Sequence, residues 1–314
     1  MNHAGRRTIG HMPVSTSVHI THCLRYIITL RPRSILDIGC GFGMWGFLSR
    51  MYLDVAEERV QPSDWKMRID GIELFEPYIL SHQRSLYSNI FIGDVRELAP
   101  KVDQYDLIIA GDVIEHLDKD DGEEVIAQLY DKAKRALFVN IPLGDGWEHP
   151  ERHGNPGELH RSQWYVEDFL PYPNVTETFT LPAGGYGSFF CPKDCPVDSR
   201  VTGLLMAADR RKQEGRVERA LKYAWQAHAI DPANHDVVFC LAGTLLGNRD
   251  MDAAINLLQE TVERQPGFHY AYVALARILK VNQRLDEAKR YAQLLLAQPN
   301  VALDLRAQAE LIVG

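Results

Sequence analysis

Three residues able to do chemistry stand together mid-chain: Asp112, Glu115 and His116, in the stretch Asp112-Val113-Ile114-Glu115-His116. The spacing Asp-x-x-Glu-His puts these carboxylate and imidazole groups on one face of a helical turn. Such groups bind divalent cations, and a bound cation lowers the pKa of a hydroxyl that it contacts. The same residues also fit a pocket without metal, in which His116 is a general base. The pattern therefore predicts a reactive site and leaves both chemistries open.

A second candidate site is the glycine-rich stretch Asp37-Ile38-Gly39-Cys40-Gly41-Phe42-Gly43. An apolar run that ends in an acid and is followed by alternate glycines predicts a strand, a tight turn and a helix. Because glycine has no side chain, such a turn brings backbone close to a ligand. This pattern alone also fits dinucleotides, but their fingerprint needs a glycine at position 44, where Met44 stands.

Alternating strands and helices must position these groups. The sequence predicts a strand before the glycines, then strands at Arg68–Glu73, Asn89–Ile92, Tyr105–Gly111 and 136–140, and a closing pair at 175–182 and 186–191. A first helix, capped within Ser15-Thr16-Ser17, would bury Ile20, Leu24, Ile27 and Ile28. This order predicts an α/β doubly wound, Rossmann-like domain with a mainly parallel sheet.

The last third of the chain carries a different period. Ala220, Ala254 and Ala288 recur every 34 residues, and Pro232, Pro266 and Pro299 end three helical pairs. Apolar residues fall where packed antiparallel helices need them, at Leu204, Ala227, Leu241, Leu258, Leu275 and Leu295. This resembles the tetratricopeptide repeat (TPR), whose unit has 34 residues. The resemblance implies an all-α repeat domain with a capping helix over 302–313, and a protein partner or self-association.

Three motifs in order carry a second resemblance: the glycine stretch, Glu73 at the end of strand two, and Gly93-Asp94-Val95 after strand three. Together they resemble the class I S-adenosylmethionine-dependent methyltransferases, over about residues 15–192. The resemblance implies that the glycine loop takes the methionine portion of the cofactor and that Glu73 accepts from the ribose hydroxyls. It implies that Asp94 accepts from the adenine amino group and that Val95 offers a backbone N–H. The expected cofactor set is Asp37, Gly39, Gly41, Gly43, Glu73, Asp94, Val95 and Gly111.

The Asp112 stretch also resembles the metal-binding motif of small-RNA 2′-O-methyltransferases and of quinone-biosynthesis O-methyltransferases. In the RNA enzymes a further histidine lies in a His-x-x-x-Trp-x-x-Glu-x-Phe segment, which His160, Trp164, Glu167 and Phe169 match. The resemblance implies a metal site of Asp112, Glu115, His116 and His160 for Mg, Mn, Fe or Zn, with His116 or His160 as catalytic residue. Asp112 departs from the pattern, because the RNA enzymes carry glutamate there.

Composition narrows the classes of partner and the cellular compartment that we expect. The formal charge of −8 disfavours nucleic acid, since a nucleic-acid binder usually carries a basic footprint. The five cysteines, at 23, 40, 191, 195 and 240, form no disulfide framework and favour a reducing cytoplasm. No apolar run reaches the length of a membrane span. We expect a disordered tail over 1–14, a methyltransferase domain over 15–192, a linker over 193–200 and the repeats over 201–314.

The leading hypothesis is an enzyme that methylates a hydroxyl on a sugar, glycan, polyol or catechol-like small molecule, with or without metal assistance. An alternative is a TPR-type scaffold whose methyltransferase domain binds cofactor without catalysis. RNA 2′-O-methylation is a minority alternative, which the negative charge disfavours.

Overall fold

A computed structural model describes residues 16–145, 147 and 155–314. The chain divides into two compact units, one of residues up to Phe169 with Pro173–Cys195, the other of Leu170–Tyr172 with Pro196–Gly314. The predicted tail over 1–14 and the capping residue Ser15 lie outside the described residues. The domain boundaries given above stay a prediction. No helix of the described residues is both long and apolar enough to cross a bilayer.

The first unit is built on a seven-stranded sheet in the order β3-β2-β1-β4-β5-β7-β6. Its strands are β1 (Ser34–Ile38), β2 (Arg68–Glu73), β3 (Asn89–Ile92), β4 (Tyr105–Gly111), β5 (Ala133–Leu143), β6 (Val175–Leu181) and β7 (Gly184–Pro192). Strands β1 to β5 pair in parallel, whereas β7 pairs antiparallel with β5 and β6. The predicted α/β doubly wound class is confirmed, and the order reverses between β1 and β4, where open sheets of this kind bind ligands.

The described residues of this unit form five α-helices: α1 (Ile20–Leu30), α2 (Met44–Leu53), α3 (Ser81–Leu86), α4 (Val95–Leu98) and α5 (Lys119–Lys132). The predicted apolar face of α1 is wrong in part. Ile28 is 42% exposed, and the buried residues of the helix are His22, Cys23 and Ile27. The N-cap position is His19, which makes no side-chain capping bond. Helix α1 therefore turns polar groups toward the sheet, where partners on β5 and β7 meet them.

The second unit is all-α, with helices α6 (Val197–Gln213), α7 (Val217–Ile230), α8 (His235–Gly247), α9 (Met251–Arg264), α10 (His269–Val281), α11 (Leu285–Leu296) and α12 (Leu303–Val313). The alanines of the 34-residue period, Ala220, Ala254 and Ala288, are fully buried. The predicted apolar positions from Leu204 to Leu295 join Ala254 and Ala288 in one core. Helix α12 lies where the sequence predicts the capping helix. The periodic residues thus form the contacts that let successive helices pack.

Candidate functional site

The glycine loop between β1 and α2 uses glycine for two different reasons. Gly39, Gly41 and Gly43 all have positive φ, at 65°, 44° and 83°, which L side chains rarely adopt. A Cβ on Gly39 would lie 2.3 Å from Cγ2 of Val113, so this position is closed by packing. A Cβ on Gly41 would meet only the Gly39 carbonyl oxygen, at 3.7 Å. Gly41 is therefore where backbone faces open space.

That open space belongs to a cavity of about 600 Å³, a volume typical of small-molecule sites. Ten of the sequence-predicted site residues line it: Gly39, Gly41, Glu73, Asp94, Val95, Gly111, Asp112, Glu115, His116 and His160. The other two, Asp37 and Gly43, are not among the lining residues. The structure thus gathers residues from the carboxyl ends of four parallel strands at one site.

Glu73, at the end of β2, is tied to the glycine loop. One carboxylate oxygen accepts from the Gly41 N–H and the other from the Phe75 N–H, each at 2.9 Å. The side chain is nearly buried, and burial raises the pKa of this carboxyl. These two bonds hold the carboxylate at the cavity wall before any ligand arrives.

Asp94, after β3, is held differently. Its oxygens accept from the backbone N–H and the guanidinium of Arg96, with Nη2 at 2.6 Å. The Arg96 hydrogen bonds lower the pKa of Asp94 despite its partial burial. Arg96 also binds Asp121 at 2.8 Å and itself lines the cavity. The sequence stretch Gly93-Asp94-Val95 gave no sign that an arginine shares this corner.

Asp37 lies behind the loop rather than in the cavity. The hydroxyl of Tyr87 donates to its Oδ2 at 2.6 Å, and its side chain is 1% exposed. Burial raises the pKa of Asp37 to about 7. Tyr87 also accepts from the Gly46 N–H at 3.1 Å, so it links β1 to the start of α2. Asp37 thus supports the loop from beneath.

The end of β4 and the segment after residue 155 bring three metal-ligand groups together. Ligand atoms of Glu115, His116 and His160 all lie within 4.8 Å of one another. The carboxylate of Glu115 is buried, and neither oxygen has a hydrogen-bond donor among the described residues. Burial and the charge of Asp112 raise its pKa well above the usual range. One carboxylate with two imidazoles suits manganese, iron or zinc.

The two histidines are oriented by their surroundings. Nδ1 of His116 lies 3.3 Å from the carbonyl oxygen of Leu159, and a carbonyl only accepts, so Nδ1 carries the hydrogen. In the neutral ring the lone pair is then on Nε2. Nε2 of His160 lies 4.0 Å from Oε1 of Glu115, and the rings of His160 and His116 are 5.0 Å apart. Both rings therefore sit beside the buried carboxylate.

The segment that carries His160 is anchored to the same turn. The N–H groups of Arg161 and Ser162 donate to the backbone oxygen of Glu115 at 2.8 and 3.1 Å. Trp164 is 1% exposed, and Phe169 stacks on Phe189 with centroids 3.8 Å apart. These aromatic residues of the His-x-x-x-Trp-x-x-Glu-x-Phe match are core anchors, whereas Glu167 is exposed. The match thus marks packing that fixes His160.

Asp112, the fourth predicted ligand, lies outside the group of three. Its Oδ1 accepts from the hydroxyl of Tyr186 at 2.9 Å. Tyr186, on β7, also lines the cavity and stacks on the buried ring of His19. Sequence reasoning missed both residues, because they come from β7 and from the residue before α1. No local spacing links them to Asp112.

The comparisons with known proteins follow the two units. A family model described as tetratricopeptide repeat matches residues 212–271. The tetratricopeptide repeat and J domain-containing co-chaperone DNJ1 of Fusarium oxysporum f. sp. lycopersici is 31% identical over 102 residues, 32% of this chain and 20% of that protein. The match thus spans about a fifth of that relative's length.

Solved structures similar to this chain include methyltransferases. Magnesium protoporphyrin IX methyltransferase from Synechocystis PCC 6803, with bound S-adenosylmethionine, is 15% identical, with a TM-score of 0.38, over 56% of this chain and 81% of that one. A putative O-methyltransferase from Nostoc punctiforme PCC 73102 is 16% identical, with a TM-score of 0.36, over 55% of each chain. The fold assignment rests on the strand order rather than on these likenesses. The sheet order gives the first unit the doubly wound α/β architecture predicted from the sequence, and the tetratricopeptide repeat model matches residues 212–271 of the all-α second unit.

Proposed function

We propose that the sheet unit is an S-adenosylmethionine-dependent methyltransferase that acts on a hydroxyl group. The observation that carries this proposal is the composition of the cavity. Backbone at Gly41 and the fixed carboxylate of Glu73 lie on one side of it, and the group Glu115, His116 and His160 lies on the other. Methyl transfer requires the methyl donor and the deprotonated acceptor to lie next to each other, so one cavity must provide a binding region for each.

The cofactor end fits S-adenosylmethionine on this chain's own geometry. Gly41 leaves room for a ligand against bare backbone, and Glu73 offers carboxylate oxygens to ribose hydroxyls. Asp94 and Val95 line the position expected for adenine, with Arg96 beside them. When bound, the cofactor supplies an electrophilic methyl group on a sulfonium.

The opposite end fits activation of an acceptor. Glu115, His116 and His160 would hold a divalent ion, which lowers the pKa of a hydroxyl that it contacts. With the ion bound, the ring nitrogens would be ligands and the hydroxyl proton would pass to solvent. Without an ion, His116 or His160 would take that proton as general base while the oxygen–methyl bond forms and the sulfur–methyl bond breaks. The acceptor class that we propose is a sugar, glycan, polyol or catechol-like small molecule. Trp147, which also lines the cavity, adds aromatic surface for such a ring.

For the second unit we propose a protein partner or self-association through the repeats. The tetratricopeptide match over residues 212–271 supports this role, since stacked helical pairs form extended binding surfaces. The five cysteines are all free thiols, which supports a reducing compartment such as the cytoplasm.

Two measurements test the proposed function. Calorimetric titration of the full chain with S-adenosylmethionine should give micromolar or tighter binding, and absence of heat at micromolar protein would contradict the enzyme. Transfer of labelled methyl from the cofactor to a panel of diols and catechols should then depend on added Mn²⁺. Binding of cofactor with no transfer to any acceptor, with or without metal, would favour the non-catalytic scaffold.

A further inference from the structure

The backbone at Asp112 is committed to one conformation. Its φ is +51°, in the left-handed region that asparagine and aspartate tolerate better than other side chains. Its N–H donates to the carbonyl oxygen of Asn140 on β5 at 2.9 Å. The carboxylate therefore leaves the end of β4 in a direction set by the sheet.

Tyr186 fixes the other end of this side chain. Its hydroxyl donates to Oδ1 of Asp112 at 2.9 Å, and the tyrosine is only 1% exposed. Its ring stacks on His19, with centroids 5.1 Å apart, and meets the edge of Trp147 at 6.3 Å. Trp147 is held in turn by its Nε1–H, which donates to the Gly185 carbonyl oxygen at 2.8 Å. A tyrosine packed in this way is a rigid anchor for the carboxylate.

Asp112 also lies next to the glycine loop. In the sheet, Ala110 of β4 pairs with Ile38 of β1, so the two strands end side by side. The residue after Asp112, Val113, packs so closely on Gly39 that a Cβ there would clash at 2.3 Å. Asp112 and Gly39 both line the cavity. The carboxylate thus borders the part of the cavity proposed for the methionine end of the cofactor.

The neighbouring acids are held at other parts of the cavity wall. Hydrogen bonds fix Glu73 at the end of β2, where ribose is proposed, and Asp94 after β3, where adenine is proposed. Asp37 does not line the cavity and accepts from Tyr87. The methionine end of S-adenosylmethionine carries an α-ammonium group, which needs an acceptor, ideally a carboxylate. Asp112 meets that need without leaving its tyrosine, since a carboxylate accepts several hydrogen bonds.

We propose that Asp112 accepts from the α-ammonium group of the cofactor, that Tyr186 positions it for this contact, and that the metal group consists of Glu115, His116 and His160 without it. The inference rests on the proposed function, because it needs S-adenosylmethionine in the cavity. It departs from the four-residue metal site that the sequence resemblance implies.

Two ligands that differ at the methionine end test the proposal. S-adenosylhomocysteine carries the ammonium group, whereas 5′-methylthioadenosine keeps the nucleoside and sulfur but lacks the amino-acid group. For Asp112→Asn we expect the Kd of S-adenosylhomocysteine to rise about tenfold or more, as for loss of a charge-assisted hydrogen bond. The Kd of methylthioadenosine should change by less than about twofold. Equal shifts for both ligands, or no shift for either, would overturn the proposal.

Tyr186→Phe separates positioning from structure. Loss of the hydroxyl should raise the Kd of S-adenosylhomocysteine about threefold to tenfold and leave the Kd of methylthioadenosine unchanged. A merely structural role would weaken both ligands together and would contradict the positioning role. Tyr165→Phe is the matched control: Tyr165 donates to Asp145, neither residue lines the cavity, and both ligands should bind as to the wild type.

Mn²⁺ binding to the ligand-free chain, followed by electron paramagnetic resonance, tests the rest. Glu115→Gln should weaken Mn²⁺ binding, and Asp112→Asn should leave the Kd of Mn²⁺ within about twofold of the wild-type value. Equal weakening by the two variants would make Asp112 a fourth ligand and overturn the inference. A wild-type chain that binds neither nucleoside ligand would overturn the proposed function, and the inference with it. If the wild-type chain binds S-adenosylhomocysteine but no Mn²⁺, the metal site fails in both the proposed function and this inference. The Kd values of the two nucleoside ligands then decide the role of Asp112.

Discussion

The two ends of the cavity treat a buried glutamate in opposite ways. Glu73 and Glu115 are both nearly inaccessible, and burial raises the pKa of both. Glu73 accepts two backbone N–H groups at 2.9 Å, whereas the oxygens of Glu115 find no donor among the described residues. A buried carboxylate without donors is costly unless a cation or a proton neutralises it. At the proposed cofactor end the protein itself supplies the partners of the buried carboxylate, whereas at the proposed acceptor end the carboxylate needs a cation or a proton.

The largest effect that we expect concerns stability at the cofactor end. Burial raises the pKa of Asp37 to about 7, from an ordinary value of 3.8 for an aspartate in water. An acid whose pKa is higher in the folded state stabilises fully below pH 3.8, and this contribution is lost as pH rises toward 7. The loss is on the order of 4 kcal/mol. Urea unfolding of wild type and Asp37→Asn across this range should show the variant with the flatter profile.

Asp94→Asn is the control with the opposite sign. Because Arg96 lowers the pKa of Asp94, its contribution is present above pH 3.8 and is lost as pH falls below that value. Its removal should leave the profile between pH 4 and 7 nearly unchanged. Identical slopes for the wild type and Asp37→Asn would contradict the buried, proton-binding Asp37.

The next effect is at the acceptor end. His160→Ala removes one of three ligand groups, and we expect Mn²⁺ binding to weaken roughly 100-fold or more. Isothermal titration of the full chain with Mn²⁺ measures the change. His82→Ala serves as a control, since this exposed histidine contacts the Phe42 carbonyl oxygen and does not line the cavity. Comparable losses in both variants would remove the contrast between the two ends.

A pair of glycines tests whether the cofactor end is a preformed cradle. Gly41→Ala places a methyl group in open cavity space and should raise the Kd of S-adenosylhomocysteine about tenfold. Gly144→Ala is matched, because Gly144 also has positive φ and open surroundings but does not line the cavity. Each should cost about 1–2 kcal/mol of stability through backbone strain. If Gly144→Ala weakened the ligand equally, the effect of Gly41→Ala would be strain alone.

The smallest effect separates the ribose contact from the ammonium contact. Glu73→Gln should raise the Kd values of S-adenosylhomocysteine and methylthioadenosine by a similar factor, about fivefold, since both carry the ribose. Asp112→Asn should affect only the first ligand. A fluorescence or calorimetric titration of both variants with both ligands makes the comparison. Selectivity of Glu73→Gln for one ligand would move Glu73 away from the ribose.

Local patterns were enough for much of the sheet and part of the site. The predicted bounds of β2, β3 and β4 match those of the structure, since each strand is a short apolar run ended by turn residues. The glycine loop and the pairing of Glu115 with His116 also follow from spacing. What spacing could not predict depends on distant strands: the Tyr186 contact of Asp112, and Tyr87 beneath Asp37.

The buried face of α1 shows the same limit. Hydrophobicity favours Ile28, but the buried residues of the helix are His22, Cys23 and Ile27, because Ser188 on β7 and Asn140 on β5 offer partners to the first two. A hydropathy pattern treats every histidine as a polar residue, so it cannot predict that a histidine is buried. Only the folded sheet shows that Ser188 lies within 2.9 Å of His22.

The buried polar residues His22, Ser188, Asn140 and Cys23 also fix the register of β7 on β5. His22 contacts Ser188, whose hydroxyl donates at 2.6 Å to Asn140, the residue directly opposite it on β5. Asn140 in turn exchanges hydrogen bonds with Cys23 on α1. A slip of one residue would turn Ser188 to the other face and put an apolar neighbour opposite Asn140. The hydrogen bonds among these buried polar groups are satisfied in only one register of β7 on β5. That register also brings Tyr186 to the end of β4.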